Sequence, residues 1–161
     1  MLARLGPAQP AQGADVVARA VGALALAALA VIHVVDLPGT LGPTPLVGIG
    51  YLGIIAAAVL TGGVMITRSH WLAWAAAGGV AAAAMGGYVL TRAVPGGFLG
   101  DHADVGNWRC PLGISALSVE AILLLLVVLA GWQARVRARR AAPQPQPARP
   151  RTPEFSQRRA G

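Results

Sequence analysis

The side chains able to do chemistry in this 161-residue chain are few, and they gather in two places. The first is His33 with Asp36, three residues apart, a spacing that a helix sets on one face. The second opens with Tyr88 and Arg92. It continues through Asp101, His102, Asp104, Asn107, Arg109 and Cys110, and ends at Glu120. Three chemistries are open to such a set. In the structural one, Glu120 pairs with Arg92 or Arg109, or bonds to His33, and so fixes helix order. Polar contacts between membrane helices average only ~0.6 kcal/mol, but a buried charge left unpaired costs roughly 3–5 kcal/mol. In the second, His33, Asp36, His102 and Glu120 are ligand types for zinc, iron or copper. No HExxH or CxxC spacing accompanies them, and only His33 of the histidines lies inside an apolar run, so no cofactor is expected. In the third, Glu120 exchanges a proton as its surroundings change, the chemistry of a small proton-coupled transporter or channel-like oligomer. No second charged layer continues that path through the other half of the spans.

The elements that must position these groups are apolar runs. Hydrophobic residues make up 55% of the chain and charged residues 12%, about half the charged share of a soluble domain. The runs cover residues 16–37, 46–67, 71–91 and 112–132. At ~1.5 Å per residue each can cross a hydrocarbon core of ~30 Å. Backbone groups in lipid must be satisfied internally, so runs of this length imply helices. The expected fold is all-α: a polytopic membrane protein with four transmembrane helices in an up-down bundle. Pro38-Gly39, Gly42-Pro43 and Pro45 are expected to end the first helix, and Arg68-Ser69-His70 to turn between the second and third. The first run extends too far behind a long leader for a cleaved signal peptide.

The net charge of +7 belongs to one end. Residues 134–161 hold eight Arg and one Glu, while the rest of the chain holds five Arg and five acids. This basic, Pro-rich tail is expected to be cytoplasmic and extended, able to meet anionic lipid headgroups; nucleic acid is not the expected partner. Residues 1–15 are expected to be a disordered cytoplasmic N-terminus, with a membrane domain over 16–133. Arg4, Arg19 and Arg68 join the tail in placing both termini in the cytoplasm by the positive-inside rule. The polar set then lies in the outer half of a bacterial cell membrane. Tyr51, Trp71, Trp74, Trp108 and Trp132 sit near run ends, as interface anchors do. In the third run Ala75, Gly79, Ala83 and Gly87 recur every four residues, a stripe that would let helices approach closely and place this span centrally; a homo-oligomer is a further partner to consider.

Other motifs are negative. Gly62-Gly63 and Gly96-Gly97 match neither a P-loop nor a dinucleotide fingerprint. Ser115 and Ser118 lack a GxSxG elbow and are expected to bond back to helix carbonyls. Cys110 is the one cysteine, so no internal disulfide forms.

Two segments, VIHVVDLPGTLGPTPLVGIGYL and GYVLTRAVPGGFLGDHADVGNWRCPLGISALSVEAILLLL, resemble a group of small, uncharacterised four-helix integral membrane proteins of actinobacteria. The resemblance spans about residues 16–132. It implies a fold and a location and no activity. It singles out His33, Asp36, Arg92, Asp104, Asn107, Trp108, Pro111 and Glu120; Trp108-Arg109-Cys110 departs from the group's pattern. Residues and resemblance together point to a non-enzymatic structural, sensory or accessory membrane protein. A transporter using Glu120 is the alternative, and a metal or haem redox protein comes third.

Overall fold

Lipid-compatible helices account for nearly all of the structure, a computed structural model that describes residues 10–68 and 71–141. The four are α1 (Pro10–Leu41), α2 (Pro45–Thr67), α3 (Trp71–Ala93) and α4 (Pro111–Ala141). Each is long and apolar enough to cross a membrane. They run alternately up and down, and neighbours in sequence are neighbours in space: α1 packs on α2, α2 on α3, α3 on α4, and α4 closes the ring on α1. No β-strand occurs among the described residues. The chain is therefore the all-α up-down membrane bundle that its apolar runs imply. Leu24, Leu60 and Val128 are among many large apolar side chains left on the outside, as expected where the solvent is hydrocarbon.

Helix ends depart from the sequence reading in three places. Residues 10–15, expected to be disordered, begin α1, where Pro10 takes the first helical position that tolerates its missing N–H. Residues 1–9 lie outside the described residues. Pro38-Gly39 does not stop α1, which runs through to Leu41. Proline costs the helix one donor, but the turn beyond it is fastened: the Thr40 hydroxyl donates to the Asp36 carbonyl (3.1 Å), and Thr44 donates to the Thr40 carbonyl through its amide and its hydroxyl (both 2.9 Å). The actual stop is Gly42–Thr44, after which Pro45 opens α2. Finally, Arg135, Arg137, Arg139 and Arg140 are helical, because α4 continues over Arg and Ala, both good helix formers. At 31 residues, α4 extends roughly 46 Å, well beyond a ~30 Å hydrocarbon layer. Residues 142–161, most of the expected tail, and Ser69-His70 of the turn lie outside the described residues.

The buried core is thin and small-residue rich. Leu26 and Leu29 of α1, Ala58 and Met65 of α2, Ala77 and Ala81 of α3, and Leu123 of α4 are almost fully enclosed. The third helix is not central but one corner of the ring, and the stripe expected to pack it is not the one buried. Ala73, Ala77, Ala81 and Ala84 face inward, whereas Ala75, Gly79 and Ala83 are exposed. The buried ridge is the one that ends in Thr91 and Arg92, which also face inward. Close approach occurs instead at Gly22, where a Cβ would lie 2.7 Å from Met65 and 3.3 Å from the Trp74 ring. So Trp74, expected as an interface anchor, reaches across to α1. Nearby, the Arg19 guanidinium donates to the carbonyls of Met65 (2.9 Å) and Ile66 (2.8 Å). It thereby caps the negative end of α2.

Candidate functional site

The two ends of the bundle differ in kind. At the end bearing the 94–110 connection, three separate polar arrangements surround a cavity of about 220 Å³.

The first arrangement ties that connection to α3. Arg92, in the last turn of α3, is 7% exposed. Its guanidinium forms an ion pair with Asp104 (3.2 Å) and donates to the Asn107 carbonyl (3.2 Å) and the Thr91 hydroxyl (2.6 Å), while its carbon lies 3.8 Å from the centre of the Tyr88 ring. The Arg92 carbonyl accepts from Gly106 N–H (3.0 Å), and Asn107 Nδ2 donates to Asp104 (3.1 Å). The Asp104 amide donates to the buried Asp101 carboxylate (3.2 Å). Burial pushes the Asp101 carboxyl above its ordinary value, against the lowering effect of that hydrogen bond. Tyr88 contributes a second tie, donating to the Trp108 carbonyl (3.1 Å) with the two rings edge to face. Gly97 is required here: its φ is +85°, and a Cβ would lie 2.8 Å from the Asp101 backbone.

The second arrangement joins α1 to α2. Tyr51 donates to Asp36 (3.0 Å), and its ring meets His33 edge to face at 4.8 Å. His33 Nδ1 lies 2.9 Å from the Leu29 carbonyl. A carbonyl only accepts, so Nδ1 carries the proton and Nε2 is left for other partners.

The third is Glu120 alone. It is 1% exposed, it lines the cavity, and its Oε2 has no hydrogen-bond partner. The pairing expected with Arg92 is not made, because Asp104, Asn107 and Thr91 occupy that guanidinium. Arg109 is exposed and His33 is turned to Leu29, so neither substitutes.

The cavity touches all four helices. His33, Asp36, Tyr51, Arg92 and Glu120 give it polar points; Phe98 and Leu99 of the connection close its end. Leu99 holds a φ of +53°, uncommon for a leucine and a mark of local backbone strain. On the far side of Glu120 the interior is Leu26, Leu29, Ala58, Ala77, Ala81 and Leu123, with Thr61 as a buried polar group among them. The cavity is therefore covered by the connection toward one end and plugged by the apolar core toward the other.

Comparison with known proteins finds no match. That holds for protein-family profiles, for curated proteins and for solved structures alike.

Of the residues expected to converge, His33, Asp36, Tyr88, Arg92 and Glu120 line one cavity, and Asp101, Asp104 and Asn107 stand behind Arg92. His102 and Arg109 are exposed and lie outside the lining. Among the described residues no three His, Cys, Asp or Glu side chains come together in a way that could hold a metal ion, so the ligand set of His33, Asp36, His102 and Glu120 is not assembled. Ser115 and Ser118 donate to the Pro111 and Ile114 carbonyls, as expected. Cys110 is a half-buried free thiol. Sequence reasoning missed Tyr51 and Thr91. The signal for Tyr51 was present: Asp36 and Tyr51 are equidistant from the Pro43-Thr44 turn, so an antiparallel hairpin sets them at one depth. Gly113 was also missed; it gives the Tyr88 ring its seat, and a Cβ there would collide with that ring.

Proposed function

We propose that this is a non-enzymatic membrane protein of sensory or accessory type that binds a small ligand in the cavity beneath the 94–110 connection. One observation carries the reading: Glu120 Oε2 is buried, unpartnered, and belongs to a side chain lining a cavity that touches every helix. An unmet buried polar atom costs about 1–3 kcal/mol, and a bundle can remove that cost by substituting an apolar residue. Retaining the carboxyl makes sense where a ligand completes it. The apolar interior beyond Glu120 weighs against a conducting path within one chain, which leaves transport as the weaker alternative. The arginine distribution supports a bacterial plasma membrane location with both ends in the cytoplasm and the Arg-rich tail on anionic headgroups. The resemblance to small actinobacterial membrane proteins agrees with that location.

The test uses an aromatic of modest size, because an apolar cavity of ~150 Å³ is known to hold benzene. Benzyl alcohol should raise the thermal midpoint of the purified protein in detergent. In Gly87→Leu the new side chain enters open space beside the cavity and fills it, and the rise should disappear. An equal response of both proteins would overturn the reading.

A further inference from the structure

We infer that the ligand is a lipophilic amine, with its nitrogen on Glu120 and its apolar body toward the seam between α2 and α3. This rests on the cavity being a binding site and adds the chemical class that fits it.

The class follows from which polar groups in the lining are already satisfied. Arg92 is neutralised by Asp104 and each of its guanidinium nitrogens has a partner, so it offers no free cation to an anionic ligand. Asp36 accepts from Tyr51, and His33 is held through Nδ1. Glu120 is the buried group whose oxygen lacks a partner among the described residues. With Asp36 and Glu120 both in the lining and Arg92 offset by Asp104, the acidic groups outnumber the free basic ones. An anionic head would meet two carboxyls and no unengaged positive charge. A neutral acceptor, such as a ketone or ester, would satisfy a carboxylic acid but not a carboxylate.

An amine suits both forms of Glu120. If the carboxyl carries its proton, the neutral amine accepts it, forming an N–H bond as the O–H bond breaks. If the carboxylate is already bare, an ammonium donates an N–H to it. Both routes end in the same carboxylate–ammonium pair, whose hydrogen bond is of the stronger, charge-assisted kind.

The route of entry favours a molecule dissolved in lipid. Gly50 of α2 and Ala83 of α3 line the cavity and are exposed on the bundle's flank. A Cβ at Gly50 or Gly87 would meet no atom within 4 Å. The cavity wall is thus interrupted between α2 and α3, within the apolar part of both helices. On the other side of α3 the Tyr88 ring sits directly against Gly113 and closes the α3–α4 seam. Neutral amines partition into a bilayer and can arrive sideways through that gap, then gain their charge only at Glu120.

Benzylamine, benzyl alcohol and toluene share a ring and differ in the head, so they separate the claims. Binding is measured as ligand-dependent thermal stabilisation of the full chain in detergent, with Gly87→Leu as the plugged control. Benzylamine should bind about tenfold more tightly than toluene, as one charge-assisted bond provides. In Glu120→Met benzylamine should fall to the level of toluene while toluene is unchanged, and Glu120→Gln should lose most of the same advantage without a change of shape. If toluene and benzyl alcohol bind but benzylamine gains nothing, or keeps its gain in Glu120→Met, the amine assignment fails and the binding cavity stands. If none of the three distinguishes the native chain from Gly87→Leu, the cavity reading itself is wrong.

Discussion

The half of the bundle around Leu26, Met65, Ala77 and Leu123 and the half around Arg92, Asp36 and Glu120 solve the same problem differently. Without a hydrophobic drive between helices in lipid, close contact must come from packing or from polar ties. The first half uses packing: small alanines on α3, leucines from α1 and α4, and a glycine at position 22 that admits Met65 and Trp74. The second half uses ties, and between them it leaves a cavity. A bundle packed alike throughout would hold no ligand; one tied alike throughout would carry many costly polar groups. The division leaves one end solid and the other hollow.

Five substitutions test that division. The largest effect is expected for Arg92→Met, which takes the guanidinium from the Asp104 carboxylate and the Asn107 carbonyl together. Removing one partner of a buried pair costs roughly 3–5 kcal/mol, and the Asp104 side chain is 32% exposed, so about 2–3 kcal/mol is expected once solvent screening is allowed for. Thermal unfolding in detergent measures it. Asp104→Asn combined with Arg92→Met should add little beyond Arg92→Met alone, since the two act through one bond. In the packed half, Leu123→Ala should cost roughly 2 kcal/mol through the void it leaves, with ligand response retained. An unstable protein that also lost ligand response would show that the halves are not separable.

Glu120→Met should move stability the other way, by about 1–2 kcal/mol upward, because it replaces an unsatisfied buried group with an apolar one of similar volume. A loss of stability would mean that Glu120 has a partner after all. The smallest effect belongs to Asp101. Its carboxyl titrates above its ordinary value because burial disfavours the charge. A group whose pKa is raised on folding adds stability at low pH and loses it as pH rises through the folded value. Asp101→Asn keeps an acceptor for the Asp104 amide and removes the charge, so it should stabilise slightly at neutral pH and have no effect in acid. A gain that persists unchanged into acid would count against burial as the cause.

The same division explains what could be read from the sequence. Apolar runs state their own fold: lipid permits only self-satisfied backbones, so four spans and their alternation were legible from length and hydropathy. Helix ends were less so. Pro38 reads as a stop, and only the hydroxyls of Thr40 and Thr44 reveal why α1 continues. The site was half legible. Rare ionisable residues in spans are conspicuous, which found His33, Asp36, Arg92 and Glu120. Their partners depend on helix rotation, which composition does not encode. The stripe Ala75–Gly79–Ala83–Gly87 is as regular as the ridge that is buried, and only the buried ridge shares its face with Thr91 and Arg92 at the helix end. Likewise Arg92 prefers Asp104 to Glu120 because the connection folds back onto α3, a long-range fact that local spacing does not contain.

The bond between Arg19 and the last carbonyls of α2 has a consequence for assembly in the membrane. Together with the bond between Tyr51 and Asp36, it fastens α1 to α2 at both ends, and each of the five residues belongs to that first pair. The opening hairpin thus carries its own clasps before α3 has left the ribosome. Helices α3 and α4 then meet a partner already in register, and the cavity, lined from all four helices, is complete only when α4 is in place.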